Sequence, residues 1–297
     1  MGEGLGLVRP LPGLTRVPDD YRTLAADYDW LWDDDTLAHG GAINRPATAR
    51  LLARSRRPGS VLDAACGTGV NAAALARRGF RVHATDGSHA MVHAAAARFQ
   101  REQLGIPVAQ CLWADLPVTV GERFDVVLCI GNSLVHAAGH DAMVQALIGL
   151  RRMARPGGHV VIDSRNWEKL HAERRIVQVA DRTVTRRGRR CTSLYAWEIP
   201  DRLAEEHVAH LVFLFENGDQ VEPHEYELTF RPFTIAELRA RIERAGLREV
   251  DTDFDDSADR YAVITEEARP LEKHHHGSPR RSRHCRIRAS SQALPGL

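Results

Sequence analysis

The chain has 297 residues, of which 43% are hydrophobic and 27% charged, so it can form one large domain or two small ones with an ordinary core. The net charge is +1, but six Lys or Arg residues oppose a single acid from residue 271 onward, which leaves residues 1–270 near −4. A protein binds a polyanion through excess positive charge, so this balance argues against nucleic acid as a partner.

The cysteines are five in number, widely spaced and without a CxxC pair. This pattern indicates neither a disulfide framework nor a zinc site, so we predict no metal and a reducing, cytoplasmic location. No apolar run approaches the roughly 20 residues of a membrane span, and the N-terminus lacks the apolar core of a signal peptide. We therefore predict no membrane partner.

The two ends of the chain differ in composition from its middle. Residues 1–20 are rich in Gly and Pro, which predicts a flexible N-terminus. Residues 268–297 are polar, basic and without periodicity, which predicts a disordered tail. Two alternatives for this tail stay open: the remnant of an affinity tag, indicated by the string HHHGS, and an arm that binds nucleic acid. We expect the folded domain at 21–267, beginning with a helical, aromatic-rich cover over 21–57.

The middle of the chain alternates between strand and helix patterns. Strands are predicted at 60–64, 81–86, 108–115, 124–130 and 159–163, and helices at 71–79, 88–104 and 140–154. Strands separated by helices of this length predict an α/β fold with a doubly wound, mostly parallel (Rossmann-like) sheet. Helix 234–246 and strands near 247–253 and 260–265 complete a seven-stranded sheet.

A second pattern interrupts that alternation after Trp167. Four segments alternate with period two: 173–181, 190–199, 207–215 and 221–231. Short polar connections separate them, which is typical of antiparallel hairpins. We therefore predict an antiparallel β insert after the fifth strand, over about 172–232, that forms a lid on the substrate.

The stretch VLDAACGTGV, residues 61–70, joins the first predicted strand to its helix. Gly67 and Gly69 let the backbone approach a ligand, and the helix start offers free N–H donors. Asp86 ends the second strand, where a carboxylate suits a ribose diol. The spacing also fits the GxGxxA form of a dinucleotide-binding turn. The turn alone therefore does not separate NAD from S-adenosylmethionine (SAM), and a purely structural turn is a third interpretation.

Three further features favour SAM. Asp63 comes just before the turn, where a carboxylate would repel a pyrophosphate but hold an ammonium, and SAM has an ammonium and no phosphate. The WAD sequence, 113–115, offers an aromatic ring and an acid to an adenine, and RPGG, 155–158, turns into the fifth strand. Together these motifs resemble the class I SAM-dependent methyltransferases over roughly residues 20–267, which implies that family's fold and cofactor.

Within that superfamily, VLDAACGTGV, VVLCIGNSLVH (126–136) and RPGGHVVIDSRNW (155–167) closely resemble the glycine N-methyltransferases and the glycine/sarcosine N-methyltransferases. The resemblance implies that Arg165 holds the acceptor's carboxylate and that Asn132 helps to position the substrate. It also places His136 beside the amino-acid end of the cofactor. Independently of the family, the planar fork of an arginine suits a carboxylate.

The remaining site residues follow from the same resemblance. Tyr21 and Tyr28 lie where the family's N-terminal aromatics close over the site, whereas Tyr195 and Tyr226 come from the insert. The predicted catalytic set is Arg165, Asn132, His136, Tyr28, Tyr195 and Tyr226. Around SAM, or its product S-adenosylhomocysteine, we expect Tyr28, Arg45, Asp63, Ala65, Gly67, Gly69, Asp86, Leu112, Trp113, Ile130 and His136.

Several of these residues also have a purely structural interpretation that the sequence leaves open. The alternatives are a salt bridge from Arg165 to Asp163 or Glu168, a turn cap at Asn132, a surface location for His136, and core packing for Trp113, Tyr195 and Tyr226.

We therefore hypothesise a SAM-dependent enzyme that methylates the amine of a small, carboxylate-bearing acceptor such as glycine or sarcosine. An O-, N- or C-methyltransferase of a specialised metabolite is the alternative with the same cofactor. An NAD(P)-binding oxidoreductase and a non-catalytic SAM-binding protein are alternatives from other classes. A DNA amino-methyltransferase is disfavoured, since the fourth strand ends in GNS instead of an NPPY-type motif. The resemblance is compatible with a homo-oligomer, which no single feature of the sequence shows.

Overall fold

The computed structural model describes residues 21–55 and 59–268. Its helices are α1 Asp34–His39, α2 Pro46–Arg54, α3 Val70–Arg77, α4 His89–Arg101, α5 Leu116–Val120, α6 His140–Met153, α7 Trp167–Glu173 and α8 Ile235–Arg244. Its strands are β1 Ser60–Asp63, β2 Arg81–Asp86, β3 Val108–Gln110, β4 Phe124–Cys129, β5 Ala154–Arg165, β6 Val177–Val179, β7 Val184–Arg186, β8 Arg189–Glu198, β9 His207–Asn217, β10 Gln220–Phe230, β11 Leu247–Thr252 and β12 Arg260–Glu267.

The main sheet has seven strands in the order β11-β12-β5-β4-β1-β2-β3. Its pairs from β5 through β3 are parallel, whereas β12 runs antiparallel to both β5 and β11. The predicted doubly wound, mostly parallel sheet is therefore confirmed. The strand order reverses between β1 and β4, and the crevice outside the carboxyl ends of the strands at such a reversal is where α/β sheets bind ligands.

Helices cover both faces of this sheet, and the side chains of β4 show why. Val126 and Leu128 belong to one hydrophobic core with α3 and α4, while Val127 and Cys129 belong to the other with α6 and α8. All four side chains are buried, so this part of the strand is continuously apolar instead of alternating with polar residues. A continuous apolar run is what a parallel strand between two layers of helices requires.

Strands β6 to β10 form a second, antiparallel sheet in the order β10-β9-β8-β6, with β7 paired to β8. The alternate residues Ala209, Leu211, Phe213 and Phe215 of β9 are all fully buried, which gives this sheet one apolar face. The cover packs on that face, since the ring of Trp30 lies edge-on to Phe215 at 5.2 Å. Within the cover, the predicted helical pattern forms short 3₁₀ turns together with α1 and α2.

The predicted strand 108–115 is wrong over its second half. Strand β3 ends at Gln110, and Trp113–Asp115 is a 3₁₀ turn. The indole N–H of Trp113 donates to the carbonyl of Ala64 (2.9 Å), so the chain crosses the end of β1 instead of continuing along the sheet edge. This crossing brings Trp113 over the glycine-rich turn.

The predicted domain boundaries stay predictions. The flexible N-terminus over 1–20 and all of the tail beyond Ala268 lie outside the described residues. Across the part of the chain that the structure describes, we find no helix with the length and apolarity needed to span a bilayer.

Helix α6 packs so closely on the Trp113 turn that only glycine fits at Gly149. A Cβ atom there would lie 2.0 Å from the carbonyl oxygen of Trp113. We expect Gly149→Ala to lower the free energy of unfolding by about 2 kcal/mol or more, because overpacking outweighs the gain of up to ~1 kcal/mol in helix propensity. Urea unfolding would measure the change. Gly105→Ala is the matched control, since a Cβ there meets nothing within 4 Å. Equal stability of the two variants would contradict the close approach.

Candidate functional site

The glycine-rich turn between β1 and α3 adopts backbone conformations that favour glycine. Gly67 and Gly69 have φ of +54° and +82°, and a Cβ on Gly69 would lie 2.7 Å from the ring of Phe99. Asp86 holds the turn in place, because its carboxylate accepts from the N–H of Gly67 (2.8 Å) and from that of Ser88 (2.9 Å). The turn and the end of β2 thus form one rigid corner.

Asp63 is a fully buried carboxylate at the end of β1, and neither of its oxygens makes a hydrogen bond within normal geometry. Burial raises the pKa of Asp63 to about 7, which the Ala65 N–H opposes and the charge of Asp86 reinforces. A buried anion without a partner is costly unless a cation meets it. Its place beside the turn therefore fits an ammonium and excludes a pyrophosphate, so the residues present fit SAM.

Other residues predicted around SAM lie at the same corner. Trp113 is half-buried, Leu112 is exposed and lies within 3.6 Å of the Cβ position of Gly87, and Ala65 is half-buried in the turn itself. Ile130 is buried at the end of β4, and its carbonyl accepts from the Ser133 hydroxyl (2.8 Å). The sheet order brings these residues together at its carboxyl edge.

Asp163 connects several elements around the site through hydrogen bonds and ionic contacts. This role was not predicted from the sequence. This fully buried residue on β5 accepts from the N–H groups of Gly131 (2.9 Å) and Asn132 (3.0 Å) through Oδ1. Its Oδ2 is in ionic contact with Nε of Arg45, although without hydrogen-bond geometry, and Oδ1 lies 3.3 Å from Nη2 of Arg260. An acid at the end of an otherwise apolar strand is a signal that a buried partner exists, but it does not identify the partner.

Arg165 lies at the last position of β5 and stacks on two aromatic rings of the insert. Its Cζ atom is 5.2 Å from the ring centroids of both Tyr195 and Trp197. Burial lowers the pKa of Arg165, and the nearby charge of Arg260 lowers it further, whereas Tyr195 and the charge of Asp259 raise it. The two salt bridges considered as alternatives are not observed: Asp163 contacts Arg45 and Arg260 instead, and Glu168 accepts from a backbone N–H (2.9 Å).

Asn132 adopts a left-handed backbone conformation with φ of +68° and is almost fully buried. Its Oδ1 accepts from the backbone N–H of Arg165 (2.9 Å) and from the Ser164 hydroxyl (3.4 Å). No hydrogen bond from its side chain caps the following 3₁₀ turn, so the alternative of a simple turn cap is not met. Asn132 instead fixes the end of β5 relative to the end of β4.

His136 is half-buried and packed between the cover and the insert. The surface location considered as an alternative is therefore not observed. Its Nε2 is hydrogen-bonded to the Tyr21 hydroxyl (2.9 Å), and its ring lies 5.1 Å from that of Phe230. Burial lowers the pKa of His136 to about 4, which a hydrogen bond to the Thr229 backbone only partly opposes. The imidazole is therefore neutral at pH 7.

The three tyrosines of the predicted catalytic set do not all meet. Tyr28 lies 3.8 Å from the Cβ position of Gly67 and is therefore next to the glycine turn. Burial raises the pKa of Tyr28, and the charge of Tyr195 raises it further. Tyr195 stacks on Trp197 (5.7 Å). Tyr226 instead donates to Asp27 of the cover (2.7 Å), where it connects the insert to the cover.

Residues 27–34, here called the strap, are bonded to both sides of the crevice. Asp29 accepts from the hydroxyl of Thr68 (2.6 Å), next to the glycine turn, and from Arg98 of α4 (2.5 Å). On the other side, Arg186 of the insert donates to the Asp29 carbonyl (2.8 Å), and His224 lies 2.5 Å from the carboxylate of Asp27. No sequence signal pointed to these long-range contacts.

A pocket of about 380 Å³ opens beside Arg165. Its lining includes Arg260, Asn166, Leu170 and Val177, and its volume is within the range of small-molecule sites. Among the described residues, no group of three or more His, Cys, Asp or Glu side chains is placed to hold a metal ion.

Comparison with known proteins identifies the part of the chain that builds this corner. A family model described as a methyltransferase domain matches residues 61–158. The matched segment contains nearly all of β1 and the whole of β2 to β4, and therefore the glycine turn, Asp86 and Trp113.

The curated proteins similar to this chain include glycine N-methyltransferases and glycine/sarcosine N-methyltransferases. Glycine N-methyltransferase of Rattus norvegicus is 36% identical over 166 residues, covering 51% of this chain and 55% of that protein. Glycine/sarcosine N-methyltransferase of Aphanothece halophytica is 32% identical over 108 residues, covering 36% of this chain and 41% of that protein. The chain thus spans about half the length of the curated relatives it matches.

The structure of the CcbJ methyltransferase from Streptomyces caelestis shares the fold, with a TM-score of 0.66 at 22% identity, over 86% of this chain and 100% of that one. The predicted class I methyltransferase fold and the resemblance to glycine and glycine/sarcosine N-methyltransferases are therefore confirmed. The matched description, a methyltransferase domain, agrees with methyl transfer as the predicted reaction class.

Proposed function

We propose that the chain transfers a methyl group from SAM to the amine of a small acceptor that carries a carboxylate, such as glycine or sarcosine. The observation that carries the proposal is the guanidinium of Arg165. It is stacked on Tyr195 and Trp197, lines a pocket, and has no ion pair within the described parts of the chain, 21–55 and 59–268. A desolvated guanidinium without an acid is a site for an incoming carboxylate.

The proposal assigns each polar group of the cofactor to a residue at the glycine turn. SAM supplies an already activated methyl group when it is bound. Asp63 would hold the ammonium, and Asp86 would hold the ribose hydroxyls from its place at the end of β2, beside the glycine turn. Arg45 contacts Asp163 through Nε, so its terminal nitrogens are the groups that would meet the cofactor's carboxylate.

The protein's remaining task is to align the amine and to exclude water. Tyr28 and Tyr195 would enclose the acceptor between the glycine turn and the insert, while Asn132 fixes the backbone that carries Arg165. His136 has a pKa of about 4, because it is buried, and so it is a weak base at pH 7. We therefore propose that the amine loses its proton to water and that His136 and Tyr21, which are bonded to each other, have a packing role between the cover and the insert.

The test is to incubate the purified chain with SAM and either glycine or sarcosine, and to follow sarcosine, dimethylglycine and S-adenosylhomocysteine by mass spectrometry. Glycinamide, which lacks the carboxylate, is the matched acceptor control. We expect methylated glycine or sarcosine and little methylated glycinamide. Product from an unrelated acceptor alone would keep the methyl transfer and reject the acceptor class. Binding of SAM without turnover of any acceptor would indicate a non-catalytic SAM-binding protein.

A further inference from the structure

Arg165 does not stand alone at the pocket, because Arg260 of β12 lies directly opposite it. The antiparallel register of β5 and β12 pairs these two residues, and both line the same pocket. Directly opposed side chains lie on one face of a sheet at close distance, where like charges repel. The repulsion is felt in this structure, since the charge of Arg260 contributes to lowering the pKa of Arg165.

The charges around this pair do not balance. Three guanidiniums, those of Arg45, Arg165 and Arg260, meet at the end of β5, and Asp163 is the one carboxylate of the described residues that contacts any of them there. The next acid, Asp259, lines the same pocket and its charge acts on Arg165, but its carboxylate is paired with Lys169 (2.7 Å). The Nε atom of Arg260 is also buried without a hydrogen-bond partner. The site therefore carries an excess of positive charge and an unused donor.

Two carboxylates would remove that excess. Under the proposed function, on which this inference rests, one belongs to the cofactor and is assigned to Arg45, and the other belongs to the acceptor. Arg175, which also lines the pocket, already has Glu173 as its partner (3.0 Å). Arg260 is thus the cation that shares the acceptor side of the site with Arg165.

We propose that Arg260 is a specificity-determining residue that holds the acceptor's carboxylate together with Arg165. One carboxylate between two opposed guanidiniums relieves their repulsion and supplies a partner for the unpaired Nε of Arg260. An acceptor without a negative group leaves the repulsion in place. Selection for a carboxylate over an amide therefore resides in the pair and not in Arg165 alone.

The test is Arg260→Gln in the full chain, assayed with glycine against glycinamide and with sarcosine against sarcosinamide. We expect the ratio of kcat/KM for the acid to that for the amide to fall at least about tenfold, with the loss in KM for the acid. The Kd for S-adenosylhomocysteine should change by less than about threefold, because the cofactor's carboxylate is assigned to Arg45. Arg260→Lys, which keeps the charge, should restore part of the ratio.

Arg248→Gln is the matched control, since Arg248 belongs to the neighbouring strand and is paired with Glu266 on the surface. It should leave the ratio unchanged. Equal losses for acid and amide in Arg260→Gln would overturn the proposal, because they would show that Arg260 acts only by holding Asp163. An unchanged ratio would overturn it as well.

A separate binding measurement distinguishes failure of this inference from failure of the proposed function. If none of these acceptors is methylated, calorimetry with acetate and acetamide on the chain loaded with S-adenosylhomocysteine still examines the pair. Weaker acetate binding in Arg260→Gln with unchanged acetamide binding supports the two-arginine site. No acetate binding to the unaltered chain, or equal binding to the variant, rejects it.

Discussion

Replacing Arg165 by alanine is expected to raise the KM for a carboxylate-bearing acceptor by roughly 30-fold to a few thousandfold. Removing one member of a desolvated, charge-assisted pair costs about 2–5 kcal/mol, and each 1.4 kcal/mol is about tenfold in affinity. The side chain also stacks on Tyr195 and Trp197, so its loss removes the surface against which those rings pack. Steady-state kinetics at saturating SAM would measure the effect.

The control for Arg165→Ala is Arg175→Ala, which removes a second arginine from the lining of the same pocket. Arg175 is exposed and paired with Glu173, and exposed pairs contribute about 1 kcal/mol or less. We expect Arg175→Ala to change the KM for the acceptor by no more than about fivefold. If Arg165→Ala left KM within that range, Arg165 would not hold the acceptor.

Replacing Asp63 by asparagine is expected to weaken SAM binding and at the same time to stabilise the ligand-free chain at alkaline pH. An ammonium–carboxylate contact is worth about 1.5–3 kcal/mol, so the Kd for SAM should rise roughly 10- to 150-fold at pH 8. The affinity of the unaltered chain should also fall as pH drops below about 7, because protonation removes the negative charge. The variant should lack this pH dependence.

The stability effect of Asp63→Asn has a definite sign. Burial raises the pKa of Asp63 to about 7 from its ordinary value of 3.8, so between these values the folded state holds a proton that the unfolded state has released. Stability of the unaltered chain is therefore lost as pH rises through this range, and the loss is complete above the folded pKa. The advantage of the variant in free energy of unfolding should grow by roughly 3 kcal/mol from pH 5 to pH 8.

Urea unfolding of the ligand-free chain at several pH values measures this advantage. Asp141→Asn serves as the control. Because Asp141 is exposed, the change in free energy of unfolding that its replacement causes should vary much less with pH. If the free energies of unfolding of Asp63→Asn and of the unaltered chain differed by the same amount at every pH, Asp63 would be ionised at low pH even when buried.

The elements that sequence predicted well are those whose pattern is local. Strand β5 contains an apolar run, 160–162, after the glycines of RPGG, and the polar residues that end the strand are enough to predict Arg165 at the carboxyl edge of the sheet. The turn around Gly67 and Gly69 was predicted equally well from local sequence, because both positions have the positive φ that favours glycine.

Contacts between distant segments could not be predicted in the same way. Arg260 lies 97 positions after Asp163, and only the antiparallel register of β12 brings it opposite Arg165. The early end of β3 has a similar cause, since the segment has the composition of a strand. Its path is decided instead by the Trp113–Ala64 hydrogen bond and by the close approach of Gly149.

The strap, residues 27–34, makes the two halves of the crevice thermodynamically dependent on one another. Asp29 is bonded to Thr68 beside the glycine turn, while Asp27 is bonded to Tyr226 of the insert. A ligand that orders the strap from one side of the crevice also favours binding of a second ligand on the other side. Such a coupling is reciprocal, so each ligand changes the other's affinity by the same factor. Substitutions in the insert that adapt the chain to a new acceptor would therefore also alter its affinity for SAM.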